Sequence, residues 1–362
     1  MQHVPASLGS FRKRARAKNL RDLLILAALT PFLHGCLATY LVKSSYHQVK
    51  LLSSREPLEN VLKMEGLSEE TKRKLQLAQS AKVFAETNLG LTPTDNYNSF
   101  VNIDRPYVTY IVRVAEYDRL KGRNWWYPIV GSLPYKGFFS KEEAIEEAKS
   151  FDPKKYDTYV RGATAYSTLG WFDDPILSSM LGYQDAQLIN LIIHESVHAT
   201  IYIKGQADFN ERLATFLGDI GTEKYYLSLE GEGSPTVARI KKENEDKKIF
   251  SEFMSRELKD LKTWYLEKKQ FSDEEKTERL KAIQEKFTAE TLPKLQIYKY
   301  TSFINAKLNN AQLLSYSTYV ADLSDFEKIY QLLDYNFEKL ISYCKSLENA
   351  KDPSLQLKED IK

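Results

Sequence analysis

The chain is poor in cysteine and histidine, and this scarcity limits the chemistry that it can carry. Its 362 residues include two cysteines, Cys36 and Cys344, and five histidines. Two cysteines are too few for a disulfide framework or a cluster of thiolate metal ligands, so stability must come from packing. We expect Cys344 to be a buried thiol in a helix.

The chain also lacks a strong charge of either sign. The 51 basic and 49 acidic residues leave a net charge of +2, so no overall field would hold a nucleic acid to the molecule. Hydrophobic residues at 43 % and charged residues at 28 % are ordinary values for a protein that folds in water. This composition excludes wholesale disorder and a polytopic membrane protein.

Charged residues are absent from one stretch near the start, Leu23 to Val42, which follows the basic segment 12–21. A basic region before an apolar one is typical of a signal sequence, and this stretch could also just cross a bilayer of about 30 Å as a helix. Its run LHGC, ending at Cys36, is similar to a bacterial lipobox. We therefore expect a lipoprotein lipidated at Cys36; an uncleaved anchor helix and a simple buried helix are the alternatives.

Hydrophobic spacing along the rest of the chain predicts an α+β fold that is mostly helical. Residues 37–89 have the pattern of two or three helices, a further helix begins at Lys141, and helices dominate from Pro175 onward. The tail from Asp352 is expected to fray. Strands are predicted at Tyr107–Ala115, near Trp125–Val130 and at Tyr156–Tyr166.

The most specific motif lies in the apolar run Leu188–Ile203, which contains His194-Glu195-Ser196-Val197-His198. This is the H-E-x-x-H pattern. Residues four apart share a helix face, so both imidazoles can bind one ion, while Glu195 can contact water beside it. The alternative is a pair of satisfied core histidines, but burying such polar groups unpaired would be costly.

A catalytic zinc needs a third protein ligand, and the next predicted helix offers Glu211. The alternative role for Glu211 is to compensate the dipole at the start of that helix. Asp219, about two turns further along, is predicted to support the free ring nitrogen of a histidine ligand.

This arrangement predicts amide hydrolysis assisted by zinc, in which Glu195 takes a proton from water and delivers it to the leaving amine. The oxyanion of the intermediate needs a donor, and a tyrosine is the expected one. Tyr166, Tyr316 and Tyr319 are the candidates, each with packing as its alternative role. Asn309 and Asn310, in the same run as the last two, are predicted together with Tyr166 to bind substrate.

Four runs of the sequence resemble a bacterial family of zinc-dependent aminopeptidases that are lipoproteins. The likeness covers roughly residues 35–326, and the segment around Glu211 is also similar to the N-E-G-F-A helix of gluzincin aminopeptidases. The resemblance implies one zinc ion per chain, hydrolysis of peptides, and a membrane-anchored lipoprotein of the bacterial cell envelope that faces the periplasm. The four runs are Ala165–Leu181, Leu191–Gly205, Phe209–Gly221 and Leu308–Tyr319.

An aminopeptidase must also hold a free ammonium group, usually with a carboxylate near the metal. Asp173 and Asp174, which precede Pro175, are the candidates; a solvated turn that caps the next helix is the alternative, and an endopeptidase would then fit better. The strand segment Tyr159–Tyr166 is predicted to be the edge that pairs with an extended substrate.

Four segments are expected: a targeting segment 1–36, a zincin-like metallopeptidase core 37–230, a charged helical hairpin 231–295, and a helical region 296–362 that packs on the core. Two other functions remain open. The charged hairpin, from Val237 to Gln284, could dock an envelope partner in a protein without enzymatic activity, or the zinc site could hydrolyse a non-peptide amide or ester.

Overall fold

The computed structural model describes residues 36–127, 131–166, 172–317 and 323–362. The chain divides after Ser54 into two compact units. Helix α1, Cys36–Ser53, belongs to the first unit. All other elements belong to the second unit, which begins at Arg55. No helix in these described ranges is both long and apolar enough to cross a membrane.

The second unit is built mainly from helices. In chain order they are α2 Leu58–Val61, α3 Glu69–Thr87, α4 Lys141–Lys149, α5 Asp185–Thr200, α6 Ala207–Glu230, α7 Pro235–Lys268, α8 Asp273–Lys286, α9 Thr301–Ile304, α10 Asn310–Ser317, α11 Ser324–Leu332, α12 Phe337–Ser346 and α13 Pro353–Asp360. The strands are β1 Glu56–Pro57, β2 Ser99–Val101, β3 Thr109–Glu116, β4 Trp125–Tyr127, β5 Gly131–Leu133, β6 Lys136–Phe138, β7 Tyr156–Ala163 and β8 Ile176–Leu177. The prediction of a mostly helical α+β fold is confirmed.

The described strands form three small sheets. In the largest, β3 lies between β6 and β7 and is antiparallel to both, so that Ile111 faces Gly137 on one side and Arg161 on the other. In the second, β2 lies between β1 and β8, and it runs parallel to β8 with Phe100 opposite Ile176. Strands β4 and β5 form a hairpin.

A buried core lies where α5 meets α6. The apolar face of α5 is fully buried. Helix α6 approaches it closely because Gly221 has no side chain: a Cβ there would lie 2.8 Å from Ile193 Cγ2 and 2.9 Å from Leu89 Cδ1. This close approach fixes where the polar residues of the two helices meet. The buried side chains of α5 are Leu188, Ile189, Ile192, Ile193 and Val197.

Helices α7 and α8 form the predicted charged hairpin, which turns between Lys268 and Asp273. Its inner face is buried in an aromatic cluster that includes Phe250 and Phe287. The buried Lys276 also ties α8 to the main sheet, through a 2.8 Å ion pair with Asp157. The hairpin is therefore packed against the rest of the unit along its inner face.

The C-terminal tail corrects one expectation, since it is a helix rather than a frayed end. Asp352 caps α13 by accepting a 2.9 Å hydrogen bond from the amide of Leu355, and Pro353 occupies the first turn. Leu357 is completely buried. An Asp-Pro pair is a strong signal for the start of a helix, and the buried Leu357 side chain holds this helix against the rest of the unit.

Candidate metal centre

Helix α5 carries the H-E-x-x-H motif and is fixed at both ends. At its start, Asp185 forms ion pairs with Arg73 and Lys74 of α3, at 2.6 and 2.7 Å. At its end, the Thr200 hydroxyl donates to the carbonyl of Ser196 and accepts from the amide of Thr92. The buried apolar face leaves the motif on the side of α5 that meets α6.

The turn between α5 and α6 is held by Asn210, which is 2 % exposed. Its amide nitrogen donates to the carbonyl of Ile203 at 2.8 Å, and its amide oxygen accepts from the amide of the same residue at 2.9 Å. The two bonds close the turn and set the start of α6, where Glu211 is the next residue. Asn210 is not among the site residues predicted from the sequence.

The side chains of His194, His198 and Glu211 converge. The two histidine Nε2 atoms are 3.2 Å apart, and Glu211 oxygens lie 3.6 Å from the Nε2 of His194 and 3.5 Å from that of His198. The three residues could hold a metal ion. The side chain of His198 is 4 % exposed and that of Glu211 is 63 % exposed, so the group is open to solvent on the Glu211 side.

The environments of the two histidines differ. Burial and the neighbouring His194 lower the pKa of His198 to about 4. Burial also acts to lower the pKa of His194, but its hydrogen bond with Glu211 and the charge of Glu195 outweigh this and raise that pKa above its ordinary value. Burial acts to raise the pKa of Glu211, but the hydrogen bond with His194 and the charges of both histidines outweigh it and lower this pKa overall. His198 is therefore neutral at pH 7 and has a free electron pair for an ion.

Asp219 lies behind the motif helix. Its carboxylate accepts a 3.0 Å hydrogen bond from the side chain of Asn190 and lies 3.9 Å from Lys247 Nζ. Burial raises the pKa of Asp219, and its charge acts on His194. The hydrogen bond of Asp219 is thus with Asn190, and its support of a histidine ring nitrogen stays a prediction.

The Asp-Asp-Pro turn separates its two carboxylates. Asp173 is exposed, and its carbonyl oxygen accepts a 2.9 Å hydrogen bond from Arg55. Asp174 is 7 % exposed. Its backbone bonds to the segment that contains Tyr97, a residue that the sequence analysis did not identify. In the sequence, Tyr97 lies in a turn-rich run that has neither a helix nor a strand pattern, so the sequence gives no indication of its position.

The other predicted side chains fall into different surroundings. Tyr316 packs against Phe250 and Phe303, and its hydroxyl is 3.5 Å from Gln312 Nε2. The ring of Tyr166 is in edge contact with Phe139, just beyond the end of β7. Tyr319 lies outside the described residues, as does most of the LHGC run, while Cys36 is the first residue of α1.

The two asparagines join α10 to the main sheet. The Asn310 side chain is completely buried; it accepts from the hydroxyl of Tyr265 and donates to the carbonyls of Glu116, Tyr117 and Arg119. Asn309 donates to the carbonyl of Thr158 on β7. These bonds occupy the side chain of Asn310, so its predicted contact with substrate gains no support from this arrangement.

Comparison with known proteins places the chain in a family. No curated protein and no solved structure matches it. A family model with the description "Putative aminopeptidase" matches residues 39–357. The match spans most of the chain and all the residues of the converging trio, and the protein therefore belongs to this aminopeptidase family.

Proposed function

We propose that this protein is a zinc-dependent aminopeptidase, tethered to a membrane of the bacterial cell envelope and facing the periplasm. The observation that carries the proposal is the convergence of His194, His198 and Glu211 within a chain that belongs to an aminopeptidase family. Family membership supports peptide hydrolysis, and the trio supplies the chemistry that such hydrolysis needs.

The spacing of the trio fits zinc. Ligands held about 2 Å from a tetrahedral ion lie about 3.3 Å from one another. The two Nε2 atoms of the trio are 3.2 Å apart, one Glu211 oxygen lies 3.6 Å from that of His194, and the other oxygen lies 3.5 Å from that of His198. With one donor atom from each residue, all three lie within 4.8 Å of one another. Two neutral imidazoles and one carboxylate are also the donor set of many catalytic zinc sites, which leave a fourth position for water. His194, His198 and Glu211 would hold the ion.

Glu195 is the general base in the proposed hydrolysis. When bound, zinc would supply a Lewis acid that activates water and polarises the scissile carbonyl. Glu195 follows His194 on α5, so its carboxylate is beside the trio but is not one of the converging groups. We assign to it the uptake of a proton from the attacking water and its delivery to the leaving amine.

The main sheet supplies a surface for an extended peptide. Strand β7 is an edge of this sheet among the described strands. The amide of Tyr117 donates to the carbonyl of Lys155, just before β7. Hydrogen-bonded pairs alternate along an antiparallel ladder, so the register puts the backbone bonds to β3 at the odd-numbered residues of β7. The backbone groups of Val160 and Gly162 therefore point away from β3, where an added strand would pair with them.

A Glu195→Gln variant tests the proposed function. The amide cannot take up a proton, so hydrolysis of alanyl-4-nitroanilide should fall by a factor of about 10² to 10⁴, while zinc content stays unchanged because Glu195 is not a ligand. Glu252→Gln is the matched control, since Glu252 is exposed on α7. Hydrolysis that survives in Glu195→Gln would exclude this residue as the base.

The alternatives have their own signatures in that assay. A zinc hydrolase of non-peptide amides or esters would cleave anilides or acyl esters but leave peptides intact. A docking protein would cleave none of them. The buried inner face of the α7–α8 hairpin leaves only its outer face for a partner.

A further inference from the structure

The first turn of α6, which carries Glu211, lacks the usual stabilisation of a helix start. Gln206 occupies the capping position, but its side chain makes no capping hydrogen bond within the described part of the chain. Serine, threonine, aspartate or asparagine usually supplies that bond. Because helix ends fray, other contacts must keep this turn ordered.

One such contact is the Asn210 turn, and a second is an ion pair with α11. In this pair, Arg212 Nη2 donates to Asp325 Oδ1. The two side chains are 18 and 7 % exposed, so the pair is largely shielded from water. The same Asp325 oxygen accepts a 2.9 Å hydrogen bond from the amide of Phe326. The carboxylate is therefore fixed with respect to α11 and can hold Arg212.

Aromatic packing surrounds the ion pair. The guanidinium of Arg212 lies over the ring of Phe326, 5.2 Å from its centroid. Phe326 is completely buried, and its ring centroid lies 5.4 Å from that of Phe209 and 5.7 Å from that of Phe216. Phe209, Arg212 and Phe216 are three and four residues apart, so they lie on one face of α6. Helix α11 contacts the start of α6 along this face, whereas Gly221 meets α5.

We propose that Asp325 is a positioning residue for the metal centre. Through Arg212, it keeps the first turn of α6 in place and so holds Glu211 near the two histidines. The side chain of Glu211 is 63 % exposed, so its position depends on the backbone of this turn. This inference rests on the proposed function, because it assigns to Asp325 an effect on zinc binding.

Asp325→Asn tests the proposal. The amide has nearly the same size as the carboxylate, but it lacks the charge that attracts Arg212. Loss of a hydrogen bond between charged groups should lower the zinc affinity about tenfold. Arg212→Gln removes the same ion pair from the other side and should give a similar loss. Asp325→Glu keeps the charge and should lose less affinity than Asp325→Asn.

Two control variants separate positioning from general stability. Asp334→Asn is the matched control, since Asp334 forms a 3.4 Å ion pair with Lys339 but its side chain is 85 % exposed. Ile283→Ala lowers stability through the aromatic cluster of the α7–α8 hairpin, in which Ile283 is completely buried. Neither control should change the zinc affinity. Circular dichroism shows whether each variant is folded.

Hydrogen exchange supplies a measurement that does not depend on zinc. In the metal-free protein, Asp325→Asn should speed exchange of the amides of residues 211–214 about tenfold, because local opening of the first turn becomes easier. The amides in the second half of α5 should exchange as in the parent. Mass spectrometry of peptides from both helices reports the two rates.

The outcomes separate the two proposals. Zinc affinity and exchange rates that match the parent in Asp325→Asn would overturn the positioning role. An equal loss of affinity in Ile283→Ala would also overturn it, because affinity would then follow overall stability. A parent protein that binds no zinc would overturn the proposed function, and exchange at residues 211–214 would still decide whether Asp325 orders the first turn of α6.

Discussion

At the scale of single residues, the two motif histidines are not equivalent. His198 is nearly buried beside its neighbour, which gives it a pKa of about 4. Burial acts in the same direction on His194, but Glu211 and Glu195 outweigh it and raise the pKa of His194 above the ordinary 6.5. Protons therefore compete with a metal ion mainly at the ring of His194, and much less at that of His198.

This difference predicts the pH dependence of zinc binding. An ion requires neutral histidine, so one proton must leave His194 whenever the pH is below its raised pKa. We expect the apparent zinc affinity to be constant well above that pKa and to fall about tenfold per pH unit below it. Competition titrations with a chelating dye between pH 5.5 and 8.5 measure this slope. A slope of zero below pH 6.5 would contradict it.

At the scale of elements, the centre depends on how closely α5 and α6 pack. Gly221 meets Ile193 and Leu89, and it lies on the same helix as Glu211. A side chain at this position would push the helices apart and move Glu211 away from the histidines. Gly218 is more tolerant, because its nearest neighbours would lie 3.4 Å from an added Cβ.

The two glycines give a matched pair of substitutions. Gly221→Ala should lower the free energy of unfolding by about 1–3 kcal/mol through overpacking, and it should also weaken zinc binding. Gly218→Ala should raise the free energy of unfolding by up to about 1 kcal/mol, since alanine has the higher helix propensity and the new contacts are ordinary. Urea denaturation and zinc titration measure both effects. Equal stabilities for the two variants would argue against close packing at Gly221.

Sequence and structure agree where a pattern is local. The apolar spacing of α5, the motif that it carries and the carboxylate of Glu211 all lie in one short stretch, so the sequence alone identifies these residues. The strand pattern was sufficient for β3, β4 and β7, but β1, β2 and β8 are two or three residues long and leave no periodic signal. Tyr97 was missed because its position depends on a strained turn and on contacts with Asp174, distant in sequence.

At the scale of the whole molecule, the proposed tether depends on the first residues of the chain. The basic segment, the apolar stretch and the LHGC run support lipidation, and α1 begins at Cys36. These features precede residue 55 in the sequence, whereas the trio lies in the unit that begins at Arg55. Anchoring and chemistry can therefore be tested separately.

Processing at Cys36 gives the test of the tether. Globomycin, which blocks lipoprotein signal cleavage, should leave the chain uncleaved with a diacylglyceryl group on Cys36. Cys36→Ala should leave the chain uncleaved and without lipid, with or without the inhibitor. Mass spectrometry of the purified protein distinguishes these forms. Processing that is insensitive to globomycin would contradict a lipoprotein, and an uncleaved chain in untreated cells would favour an anchor helix.

The central claim is that three side chains hold one zinc ion, and elemental analysis of dialysed protein tests it most directly. We predict one zinc per chain in the parent and in Glu252→Gln, and much less than one in His198→Ala and Glu211→Ala. A parent protein that retains no zinc and regains none when it is supplied, or a His198→Ala variant that retains a full equivalent, would contradict the claim.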